Sequence, residues 1–250
     1  MDLQPQHNTL NARFWVSHLL IPLPLIIAVL YALEPGGLDL WLADRWYAFE
    51  GYRWSLRDNW FTYTVMHHHG KQAIILLWLS LGVLLALTWR NARLRPFRGT
   101  LAYLMTAMLL LPSLIASSKR FSPVPCPWDL ARYGGEAAYR FNLDYSFGLT
   151  EAGHCFPAGH ASGGYALLAF YFAAVPWVRR PVWFLLPGLF TGLAFGLGQQ
   201  ARGAHFLSHD VWTMSLCWLG SLLLYMLFRR RGWLPAPRMA SVTQAGGPGT

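Results

Sequence analysis

Gln72-Ala-Ile-Ile-Leu-Leu-Trp-Leu-Ser-Leu-Gly-Val-Leu-Leu-Ala-Leu-Thr-Trp89 contains no charged side chain. Wound as a helix at 1.5 Å per residue, it covers about 27 Å, close to the ~30 Å hydrocarbon core of a bilayer. Five further stretches read the same way: Phe14–Leu33, Thr100–Ser117, His160–Val178, Val182–Leu197 and Val211–Phe228. Phe14–Leu33 is longer than a signal-peptide core and has no small-residue cleavage site after it, so it counts as a span. Val182–Leu197 is the shortest, and its helix is expected to continue through Gln199 and Arg202. Pro22, Pro24, Pro112 and Pro187 predict kinks.

The rest of the composition agrees. Of 250 residues, 12% are charged, about half the share usual in soluble domains, and 54% are apolar. Mean hydropathy is +0.30. These values exclude a disordered chain, a disulfide miniprotein, a coiled coil and an ordinary water-soluble enzyme. Thirteen Trp and an aromatic share of 16% suit a protein with many side chains at membrane interfaces. The expected fold is an all-α polytopic membrane protein with six transmembrane helices. Residues 1–231 form one domain, and the Pro-, Gly- and Ala-rich stretch Gly232–Thr250 reads as a disordered tail.

Charge placement orients the chain. With six spans, one side carries Arg13, the group Arg90, Arg93, Arg95 and Arg98, the pair Arg179 and Arg180, and Arg229, Arg230, Arg231 and Arg238, against a single acid, Asp2. The other side is balanced between bases and acids. The positive-inside rule therefore predicts cytoplasmic termini. The net charge of +9 and the pI near 9.8 follow from topology and do not call for nucleic acid. The outward side holds the long connections Glu34–Lys71, Lys119–Gly159 and Gln199–Asp210.

Chemistry-bearing residues gather at the outward ends of the spans. Lys119-Arg-Phe-Ser-Pro-Val-Pro-Cys126-Pro127 follows the third span, Pro157-Ala158-Gly159-His160 opens the fourth, and Arg202-Gly203-Ala204-His205-Phe206-Leu207-Ser208-His209-Asp210 joins the last two. In this order they resemble the type 2 phosphatidic acid phosphatase family, whose pattern is K-x6-R-P, then P-S-G-H, then S-R-x5-H-x3-D. Residues 1–71 match none of its motifs. The resemblance implies a membrane enzyme that removes phosphate from lipids, with His205 as nucleophile and Lys119 on the phosphate. The chain departs from the pattern at Cys126 for Arg, Ala158 for Ser, Gly198-Gln199 for Ser-Arg, and His209 for Asp, with Asp210 one residue late. Arg202 is the obvious substitute cation, with Arg120 and Arg132 as further candidates.

The residue types support that chemistry on their own. Phosphomonoester hydrolysis needs positive donors around the equatorial oxygens, an in-line nucleophile and a proton for the leaving oxygen. A neutral imidazole can attack phosphorus and a second can donate the proton, roles that His205 and His160 fit. His209 or Asp210 could hold the nucleophile's other ring nitrogen. Gly159 at a helix start would offer free backbone N–H groups to an anion. No metal or other cofactor is required. The expected substrate is a membrane lipid phosphate or diphosphate at the periplasmic leaflet of a bacterial inner membrane. A phosphotransferase using the same site and an inactive lipid-binding or transport protein are the alternatives.

The remaining signals are plainer. Isolated His7 and His18 read as interfacial polar groups. His67-His68-His69 lacks Cys or carboxylate partners at metal-ligand spacing and reads as a membrane-edge tract. Trp41, Trp46, Tyr47, Phe49, Tyr52, Trp54 and Trp60 suit an interfacial belt or a lipid entrance. Cys217 falls within a span, whereas Cys126 and Cys155 share the outward loop. In an oxidising compartment they are the one pair available for a disulfide.

Overall fold

The computed structural model describes residues 12–144 and 153–235, and these are helical with no strand among them. Most of the expected tail lies outside the described residues. Five helices are long and apolar enough to cross a membrane: α1 (Ala12–Leu33), α3 (Trp60–Leu87), α4 (Arg95–Phe121), α6 (Pro181–Ala201) and α7 (Leu207–Arg230). A short helix, α2 (Leu38–Phe49), precedes α3. Broad apolar faces are turned outward, including Leu25 and Ile27 on α1, Leu76 and Val83 on α3, Leu109 and Leu114 on α4, and Phe190 on α6. Such faces on helices of spanning length suit contact with lipid. The chain is a multi-pass membrane protein.

The fourth expected span differs from the others. It forms a helical run, α5 (residues 159–174), in consecutive pieces of 7, 3 and 6 residues, shorter than the stretch His160–Val178 read from the sequence. Most of its residues are buried, with α4, α6 and α7 packed around it. Small side chains explain the depth. A Cβ on Gly164 would strike the backbone of Gly192 in α6, and one on Gly192 would strike the Tyr165 ring. Gly188, Gly192 and Gly196 are spaced by four; the first two bring α6 close to the α5 backbone, and Gly196 makes room for the Asp210 carboxylate.

Helix limits also moved. The second span begins at Trp60, twelve residues before Gln72, because Trp60–His69 continues it as a wider π-helical segment capped by the Asn59 side chain. Pro22 and Pro187 stand at the starts of α-helical segments where the winding changes, after the π turn Val16–Leu20 and the 3₁₀ turn Pro181–Leu185. Pro112 lies inside α4.

The bundle has two chemically different ends. At one, Arg98 stacks on Trp89 and donates to Thr88, while Trp177 packs on Phe97 and donates to Thr100. This is the arginine-rich end. At the other end lie the close of α4, the starts of α5 and α7, the close of α6 and the π-helical part of α3. All three sequence motifs meet there.

Candidate active site

Three imidazoles from the motifs are brought together. The Nδ1 atoms of His205 and His209 are 3.2 Å apart, and both residues are buried. The Cys155 carbonyl lies against both rings. A carbonyl can only accept, and so it favours a ring proton on the nitrogen that faces it. Burial, reinforced by the charge of Lys119, holds the His205 imidazole well below its ordinary pKa. It is therefore neutral at pH 7, the form a nucleophile needs.

Lys119 reaches this cluster because position 159 is glycine. Its Cδ lies 3.2 Å from the point a Cβ on Gly159 would occupy, so the side chain crosses the start of α5. Its charge acts on His67, His205 and His209. His160 points its Nε2 at the Met66 carbonyl, 3.2 Å away, and its ring stacks on Phe195 at 4.4 Å. On the other side its ring faces His67, also at 4.4 Å.

Arg202 is buried and held on several sides. Its Nε donates to the Arg57 carbonyl at 2.7 Å, its Nη1 donates to Gln199 Oε1 at 3.2 Å, and the guanidinium lies over the Tyr63 ring. Burial lowers its pKa, yet a guanidinium stays charged at any working pH. Its charge acts on both His67 and His160.

Other candidates lie elsewhere. Asp210 accepts from Gln200 at 2.6 Å and sits against Gly196, so of the two residues considered for orienting His205, it is His209 that adjoins it. Arg132 does not enter the site. Both arms of its guanidinium bond Asp44, at 2.7 and 2.6 Å, on an exposed surface, because α2 presents that carboxylate to the loop after Cys126. Arg120 is exposed, one residue beyond the Lys119 side chain that turns inward.

The motif loops are fastened to one another. Cys126 and Cys155 form a disulfide with Cα atoms 5.1 Å apart. Beside it, Cys155 N donates to the Val124 carbonyl and His154 N to the Ser122 carbonyl. Trp128 N donates to the Gly203 carbonyl in the third motif, and Ala158 N donates to Thr213 on α7. The bridge thus fixes the residue whose carbonyl touches the two buried imidazoles.

The sequence motifs missed a second layer, supplied by residues 34–71. Asp39 Oδ1 accepts from Ser208 N and caps the start of α7. Burial pushes its carboxyl up to about 6. The Trp54 ring covers Gly203, whose φ of +68° and crowded Cα leave no room for a side chain. Arg57 stacks on Trp128 at 4.1 Å. Of the aromatic group in this segment, Tyr47 and Trp54 pack on Tyr133, whereas Trp41, Phe49, Tyr52 and Trp60 remain exposed. Gln199, in place of the family's arginine, is the residue that ties His67 to the site.

The chain is an all-helical membrane bundle in which buried imidazoles, a lysine and an arginine converge at one end. Residues 100–233 match the model of the PAP2 superfamily, and the chain belongs to that superfamily, which generally comprises phosphatases, with lipid phosphates among their substrates. No curated protein and no solved structure gives a match.

Proposed function

We propose that this protein is a lipid phosphate or diphosphate phosphatase that works through a phosphohistidine at the periplasmic face of a bacterial inner membrane. The observation that carries the reading is the His205–His209 contact beneath the Cys155 carbonyl, with Lys119 in Coulomb range. His205 Nε2 attacks phosphorus and the bond to the lipid oxygen breaks. His160 supplies the proton to that oxygen, and water then attacks the phosphohistidine to release phosphate. His209 holds the nucleophile's ring, while Lys119 and Arg202 balance the phosphate charge. The arginine-rich end, opposite the site, supports the assignment of sides.

Phosphate release by detergent-solubilised protein from a panel of lipid phosphates tests this reading. His205→Ala should abolish release, and His160→Ala should slow it by about 10²–10⁴-fold. Full activity in His205→Ala would refute the nucleophile assignment. EDTA should leave turnover intact, and vanadate, which mimics the pentacoordinate transition state, should inhibit. The burial of His205 and His209 also favours a second reading, transfer of the phosphoryl group to another lipid, because water access is restricted. Phosphorylated acceptor lipid without free phosphate would identify that outcome.

A further inference from the structure

We propose that His67 is a phosphate-binding residue of this site, contributed by the π-helical segment of α3 from outside the family-matched region. The inference rests on the phosphatase reading above and adds a group that none of the motifs contains.

An arginine has only donors, so the Arg202 Nη1 contact at 3.2 Å fixes the oxygen end of the Gln199 amide toward it. The amide nitrogen is thereby turned to His67, 3.0 Å from Nδ1. An amide nitrogen only donates, so His67 Nδ1 accepts and the ring proton resides on Nε2. Arg202 thus sets, through one side chain, a neutral imidazole with a fixed donor. That ring faces His160 at 4.4 Å and is partly open, so a ligand can reach it.

The position also answers a chemical need. Gln199 stands where the family motif carries an arginine, which leaves the site one donor group short. The Gln199–His67 pair restores a donor without restoring a charge. The π-helical winding of Trp60–His69 serves this placement, since the same segment offers the Met66 carbonyl to His160.

The test uses the full chain in detergent, with inorganic phosphate as the binding probe and lipid phosphate as the turnover probe. His67→Ala should weaken phosphate binding by about 10–100-fold, the loss of one hydrogen bond to a charged group. His67→Gln, which keeps an N–H at a similar reach, should recover most of that loss. His69→Ala, an exposed neighbour bonded to Gln72, should behave as wild type. The thermal midpoint of each variant shows that it has folded. Equal phosphate affinity in wild type and His67→Ala, or no phosphate binding by wild type, would overturn the proposal. Binding that weakens in His67→Ala while no variant hydrolyses lipid phosphate would support the donor role and refute the phosphatase reading.

Discussion

His205, in the extended connection just before α7, and His209, in the first turn of α7, meet Nδ1 to Nδ1 at 3.2 Å, so the ring expected to attack phosphorus is braced by a second imidazole where the related motif has a carboxylate. A neutral brace orients without adding negative charge beside an incoming phosphate. His209→Ala should lower kcat about 10²-fold with little change in KM, because orientation is lost while the phosphate contacts remain. His209→Asp should recover part of that loss. Unchanged kcat in His209→Ala would show that the Cys155 carbonyl suffices alone.

Asp39 should make stability depend on pH. Its folded carboxyl titrates near 6, above the ordinary 3.8, because burial disfavours the charge. Between these values the folded state binds more protons than the unfolded one, so stability falls as pH rises through that window and the cost persists above it. Asp39→Asn keeps an acceptor for Ser208 N and removes the charge. It should raise the thermal midpoint at pH 8 and leave it nearly unchanged at pH 4. An equal shift at both pH values would contradict the burial argument.

The disulfide should matter for both stability and turnover. The bridge spans a sequence separation of 29, for which chain-entropy models give roughly 3–4 kcal/mol. Cys126→Ser with Cys155→Ser should lower the thermal midpoint and also slow turnover, since the Cys155 carbonyl loses its anchor. Intact mass after alkylation without reductant checks the bridge directly. Labelling of both cysteines would refute it.

Arg132 should prove dispensable for phosphate. Its pairing with Asp44 is exposed at 53% and 39%, so a double-mutant cycle on the thermal midpoint should return only about 0.2–1 kcal/mol. Arg132→Ala should leave KM for lipid phosphate within about twofold of wild type. A tenfold rise would place the side chain back among the phosphate ligands.

Five of the expected spans were legible because apolar continuity is a local property, and the meeting of Lys119, His160 and His205 at one end was legible because they fall at span ends in a recognisable order. Three things were not. The depth of α5 depends on glycines of another helix, Gly188 and Gly192, whose value appears only once the two backbones touch. The pairing of Arg132 with Asp44 joins residues 88 apart, and nothing local distinguishes that arginine from a phosphate ligand. The place of His67 depends on the winding of Trp60–His69, which shifts the ring around the helix axis from where a regular α-helix would put it.

The burial of α5 bears on how the chain is made. A segment whose helical run covers only residues 159–174, opens Gly-His-Ala-Ser-Gly-Gly and is enclosed by other helices is short for a bilayer and leans on its neighbours. The helices that cover much of it, α6 and α7, lie later in the chain and leave the ribosome after it. Insertion of α5 should therefore wait for them: a nascent chain halted after residue 180 should leave this segment poorly anchored, and one that includes α7 should secure it. The glycine spacing on α6 would then act during biogenesis as well as in the finished bundle, as a late-arriving partner for a segment with a short helical run.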